Sequence, residues 1–75
     1  MSDKIMLADG FEKAFIGIGQ QFSRHYAVYD RDLCIKILME DGMDEDEAEE
    51  YFEFNVTGAW VGHGTPIFVR AMSLE

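Results

Sequence analysis

The stretch from Glu40 to Glu53 constrains this chain more than any other. It holds nine of the fifteen carboxylates, yet sets Ala48, Tyr51 and Phe52 at helical spacing. Residues three and four apart share a helix face. The segment therefore reads as an amphipathic helix, one side for a core and the other a dense anionic surface. Asp44 stands before it as an N-cap, its side chain suited to accept a backbone N–H from the first turn. Glu47, three residues on, completes an Asp-based version of the capping box. Met43 and Ala48 flank the cap as a hydrophobic staple, and the acidic first turn sits at the positive end of the helix dipole. The spacing predicts a helix running to about Asn55 or Val56, where Gly58 stops it.

A second helix precedes this one. Asp30 is its N-cap, Asp32 adds favourable charge to the first turn, and Gly42 ends it. From Leu33 to Met39 every residue but Lys36 is apolar, which predicts the most buried element of the fold. Upstream, Lys13 to Phe22 mixes β-branched and aromatic residues with Gly17 and Gly19 and reads as a strand. Gln20 to His25 reads as a turn, and Tyr26 to Tyr29 as a short second strand. Downstream, Ala59-Trp60-Val61 makes an apolar link and Gly62-His63-Gly64-Thr65-Pro66 a turn. Ile67 to Val69 is the last strand, with Pro66 where a missing N–H does least harm.

The order β-β-α-α-β predicts an α+β fold in which a small, mostly antiparallel sheet of about three strands packs against two helices. One domain spans 1–75. Its ends, 1–10 and 71–75, are expected to be loosely held, with Ile5, Met6 and Leu7 pinned to the body. The expected core is Ile16, Ile18, Val28, Leu33, Ile37, Leu38, Phe52, Trp60, Ile67 and Val69.

A chain of 75 residues buries only about 60–65% of its unfolded surface. Six Phe, three Tyr and one Trp supply apolar area that a disordered acidic tail would lack. Homodimerisation would cover what remains exposed. The single cysteine, Cys34, excludes an internal disulfide and a multi-cysteine zinc site. No secretory signal or membrane-length apolar run is visible, so a cytoplasmic location is expected. A net charge of −9 works against nucleic acids and anionic membranes and favours a basic protein partner.

Catalytic and cofactor motifs fare poorly. Gly17-Ile18-Gly19 begins like a dinucleotide fingerprint, but Phe22 occupies the third glycine position and the segment reads as strand. Packing or bulge glycines are the better account. Gly62-His63-Gly64-Thr65 lacks the lysine of a phosphate loop and precedes a strand. Cys34 could pair with His25 or His63, but it lies in an apolar helical run, where cysteine acts as a small hydrophobe. Both histidines fall in predicted turns. The acidic cluster lacks the glycine and terminal glutamate of a calcium loop, and consecutive helical carboxylates diverge around the axis. No cofactor, metal or catalytic residue is expected.

The anionic surface itself has a plain reading, a solvated face that aids solubility, and a sharper one, a contact surface for a basic groove. Asp44, Glu45, Glu49 and Glu53 are the candidate partner-binding residues, because 45, 49 and 53 recur at i,i+4 spacing. Like charges so spaced weaken a helix by about 0.2–0.5 kcal/mol per pair, a cost that hints at a use.

Asp9-Gly10-Phe11-Glu12-Lys13-Ala14-Phe15-Ile16-Gly17, Ala27-Val28-Tyr29-Asp30, Ile37-Leu38-Met39-Glu40-Asp41-Gly42-Met43 and Glu50-Tyr51-Phe52-Glu53-Phe54-Asn55-Val56, with Gly58-Ala59-Trp60-Val61-Gly62 and Gly64-Thr65-Pro66, carry a resemblance. The chain resembles a family of short proteins encoded by bacteriophages and prophages, over roughly residues 9 to 70. That resemblance implies an accessory protein of the host cytoplasm and carries no functional residues with it. The expected function is a non-enzymatic module that binds and modulates a host or phage protein through its acidic helix, with charge mimicry of nucleic acid as one route. The alternative is a small structural or assembly protein, a homo-oligomer or virion part, using apolar surface around Trp60 and Phe54; a small enzyme ranks last.

Overall fold

Only Phe22 and Ser23 separate the first two strands, so β1 (Phe15–Gln21) and β2 (Arg24–Asp30) form a tight antiparallel hairpin. The computed structural model describes residues 5–58 and 64–70. The turn has a strained corner. Phe22 has φ 55°, and no other described non-glycine residue has a positive value. A two-residue hairpin turn with positive φ at its first central position normally places glycine there. Phe22 is 91% exposed, so burial does not compensate. Phe22→Gly is expected to stabilise the fold by about 0.5–1 kcal/mol through relief of left-handed strain. Thermal melting checks this; an unchanged or lower midpoint would show that the corner is relaxed.

β3 (Ile67–Val69) joins β2 in parallel, giving a mixed sheet ordered β1-β2-β3 in which the longer pairing is antiparallel. Ala27 and Tyr29 of β2 are buried, and Phe68 lies beside Tyr29 on the same face. By the two-residue alternation of strands, Val28 and its neighbour Ile67 face the other way. Ile16 is the extra residue of a bulge between Phe15 and Gly17. Gly19 lies so near Val28 that a Cβ there would meet its Cγ2 at 3.0 Å.

α1 (Arg31–Glu40) starts directly from β2, with Asp30 Oδ1 accepting the Leu33 N–H at 3.2 Å. Gly42, at φ 112°, turns the chain out of it. α2 (Glu45–Phe52) follows with both capping-box bonds formed: Glu47 N–H to Asp44 Oδ1 at 2.8 Å and Asp44 N–H to Glu47 Oε1 at 3.2 Å. Past Phe52 the helix widens into a π-helical turn, Glu53–Thr57, and ends at Gly58. A Cβ at Gly58 would stand 2.8 Å from the Glu53 carbonyl oxygen, so the tight exit requires glycine.

Among the described residues the core consists of Phe11, Ala14, Ala27, Tyr29, Cys34, Ile35, Leu38, Ala48 and Phe52. A 3-10 turn at Glu12–Ala14 precedes β1 and seats Ala14. Phe52 meets Phe11 and Phe68 edge-on, with ring centres 6.2 and 5.0 Å away. Tyr29 packs against Phe68 and Phe15, and its hydroxyl accepts the Ala8 N–H at 2.8 Å. A second tie runs from the Met6 N–H to the Gly64 carbonyl at 3.4 Å.

The α+β class, the element order and both caps agree with the sequence reading. Several placements need correction. Leu38 and Phe52 are buried and Val28 and Ile37 half-buried, but Ile16, Ile18, Leu33, Ile67 and Val69 are exposed. Among the described residues the helices cover one face of the sheet, which leaves Ile67 without a helical neighbour, and Ile18 sits on an edge strand beyond that cover. α1 turns Cys34, Ile35 and Leu38 inward, and Leu33 falls off that stripe. Tyr51 is 42% exposed, so the inner face of α2 is Ala48 and Phe52. The turn predicted over 20–25 shrinks to two residues because both strands extend toward it, and His25 therefore lies in β2. The first strand begins at Phe15, not Lys13, because the 3-10 turn occupies 12–14. Trp60, His63, the 59–61 link and the 71–75 tail lie outside the described residues.

Candidate interaction surface

α2 places its carboxylates on two flanks. Glu45 and Glu49 line the groove toward α1, opposite Arg31, Ile35, Lys36 and Met39. Arg31 holds that flank. Its Nη2 lies 3.1 Å from Glu53 Oε2 and 3.8 Å from Glu49 Oε1, and its guanidinium carbon is 5.6 Å from the centre of the Phe52 ring. The Arg31 side chain is only 14% exposed, so a cation sits over a core aromatic and beneath two carboxylates. Thr57 Oγ1 also approaches Glu53, at 3.4 Å from Oε1.

The four predicted contact residues thus differ in state. Asp44 is engaged in its cap, Glu49 and Glu53 are shared with Arg31, and Glu45 makes no ion pair among the described residues. Asp46 and Glu50, which the i,i+4 row passes over, are exposed and likewise unpaired among the described residues. Arg31 itself was not anticipated. The signal for it was present: between Asp30 and Glu53, Arg31 and Lys36 are the only cations among eleven carboxylates.

The other flank of α2 is more distinctive. Met43, Glu47, Glu50, Tyr51, Phe54 and Asn55 line an open groove of about 260 Å³. Phe54 is 75% exposed, held out by the π-helical turn that follows Phe52. Exposed aromatics beside carboxylates combine an apolar anchor with a charged rim, the anatomy of protein contact sites. A larger concavity, about 620 Å³, lies between the Ile5–Phe11 segment, Tyr51-Asn55-Val56 and Thr65–Phe68. Asp9 and Tyr51 are its titratable groups among the described residues.

No group of three or more His, Cys, Asp or Glu suited to a metal ion occurs among the described residues. Cys34 is fully buried, and burial first, then the Asp30 carboxylate, pushes its thiol from 9.0 up to about 11. A thiol so placed is a poor nucleophile. It is also a stability term with a definite sign. The folded state keeps the proton to higher pH than the unfolded chain, so this contribution is full below pH 9.0 and lost as pH rises through about 11. The rise from 9.0 to about 11 corresponds to a loss of about 2–3 kcal/mol. Urea titrations at stepped alkaline pH should show it in the wild type and not in Cys34→Ala. No helix among the described residues is long and apolar enough to cross a membrane.

No protein-family model, curated protein or solved structure matches the chain.

Proposed function

We propose that this protein is a non-enzymatic interaction module whose acidic α2 docks on a protein with a basic surface. The observation that carries this reading is the groove on the outer flank of α2, where Tyr51 and Phe54 stand exposed beside Glu47 and Glu50. A solubilising face has no use for a phenylalanine held three-quarters in water. An aromatic anchor bordered by carboxylates suits a partner that offers an apolar knob within a basic rim. Glu45, Asp46 and Glu50 supply the free charge, whereas Asp44, Glu49 and Glu53 support the helix and its junction with α1. The resemblance to short phage proteins extends the proposal to an accessory role in an infected host. Where the target also holds nucleic acid, the acidic helix would compete with it.

The test uses the full chain as bait in a bacterial lysate, beside Glu45→Gln/Asp46→Asn/Glu50→Gln and Phe54→Ser variants. None of these four positions is buried, so the fold should persist. The expected result is a basic protein whose affinity falls at least about tenfold in either variant, with a flatter salt dependence in the charge variant. Equal retention by all three baits would remove the acidic flank from the mechanism.

A further inference from the structure

The negative charge is unevenly distributed along the chain. No Asp or Glu occurs from residue 13 to residue 29, although fifteen occur elsewhere, and that span carries Lys13 and Arg24. It contains the whole of β1 and most of β2. β1 is also an edge strand, paired on one side only among the described residues. Its sequence, FIGIGQQ, has no charge and no proline. Lysine, inward-pointing charge and proline are the usual devices that keep a strand edge from pairing with another chain. Here they are missing from the longer edge of the sheet, where the bulge at Ile16 is the one protective device and leaves residues 17–21 regular, whereas the opposite edge among the described residues, β3, is only three residues long.

The two-residue turn makes Gln21 and Arg24 a hydrogen-bonded pair, so by alternation Gly19 and Gly17 also bond inward to β2. The N–H and C=O groups of Ile18 and Gln20 therefore point away from β2. Ile18 is 52% exposed, and its partner across the hairpin, Ala27, lies on the helix-covered face. A strand laid antiparallel against this edge would complete both the outward hydrogen bonds and the cover over Ile18.

We infer that β1 is a self-association edge, where a second copy of this chain pairs antiparallel about a two-fold axis near Ile18 to give a continuous six-stranded sheet. Charge argues for a second copy as the occupant. Two bodies of net charge −9 can approach closely only where neither presents carboxylates; Asp9 and Glu12 border Phe15 at the start of β1, but residues 17–21, beyond the bulge, carry none. The two-fold sets Ile18 against Ile18 and Gly17 against Gly19, so nothing along the edge repels its own image. The inference does not depend on the acidic flank of α2, which lies on a different element and remains free in the dimer.

Sedimentation equilibrium over a wide concentration range tests it, with amide hydrogen exchange at low and high concentration. A reversible dimer is expected, strengthened by added salt because the bodies repel. Ile18→Lys should weaken it about tenfold or more by placing like charges opposite one another. Phe54→Ser should leave it unchanged. Exchange at the Ile18 and Gln20 amides should slow with concentration, while Gly17, Gly19 and Gln21 do not change; this readout holds in the wild type even if Ile18→Lys folds poorly. A monomer throughout, or a dimer that ignores Ile18→Lys, overturns the inference. So does an association that salt weakens, since that would mean hairpin-to-acidic-helix contact, or one lost in Phe54→Ser alone. Concentration-independent exchange at Ile18 and Gln20 would overturn it too.

Discussion

Phe52→Ala should remove most of the stability of this fold. Phe52 is completely buried and is the residue on which the separate parts of the fold converge. Phe11 reaches it from the N-terminal segment, Phe68 from β3, and Arg31 from the start of α1. Truncating a buried phenylalanine costs about 3–5 kcal/mol, the transfer term plus the cavity left behind. A domain of this length has roughly 4–11 kcal/mol of stability in total, with the lower half expected for so thin a core. The loss is thus comparable to the whole. Circular dichroism with urea titration is the direct check. A loss of less than about 2 kcal/mol would mean that Phe11 and Phe68 collapse into the space and that the core is more adaptable than its geometry indicates. Phe52→Leu separates the two causes, since it keeps apolar volume but gives up the edge-on ring contacts, worth about 0.5–1.5 kcal/mol each.

The same residue shows what was readable in the sequence. Phe52 and Ala48 sit on a helix whose cap, first turn and stop are all written in local chemistry, so the phase of α2 could be set from Asp44 onward. α1 offered no such phase. With every position from Leu33 to Met39 apolar except Lys36, the run fits several orientations, and only the packing selects Cys34, Ile35 and Leu38. The strands failed differently. Phe15-Ile16-Gly17-Ile18-Gly19 alternates as a strand with a buried isoleucine face should, but the bulge at Ile16 resets the register and the edge position strips the cover from Ile18. Small residues carry the burial instead: Ala14, Ala27 and Ala48 let elements approach closely, a role hydrophobicity alone does not announce. At the candidate surface, the carboxylate row at 45, 49 and 53 was legible as a row. Its partner was not, because Arg31 meets Glu49 and Glu53 only after the chain has folded back across eighteen and twenty-two positions.

Arg31→Ala should therefore do more than a surface substitution does, and its effect should depend on salt. The guanidinium shields the α1 side of α2, where Glu45, Glu49 and Glu53 lie at helical spacing and Asp32 adds a fourth carboxylate at 4.0 Å. Each ion pair alone is worth at most about 1 kcal/mol because the carboxylates are half-exposed. The cation over the Phe52 ring adds about 0.5–2 kcal/mol, and the buried stem of Arg31 covers the core edge. Removing all three and leaving the like charges unopposed should cost about 2–3 kcal/mol at low salt. Salt should restore part of that loss by screening the repulsion, on a length scale of about 10 Å at 0.1 M. Arg31→Lys should fall between, keeping the charge but losing the planar group that reaches two carboxylates and a ring together. If Arg31→Ala costs the same at low and high salt, the residue acts through packing alone. The junction of α1 and α2 would then be apolar in origin, and Glu49 and Glu53 would be as free to meet a partner as Asp46 and Glu50.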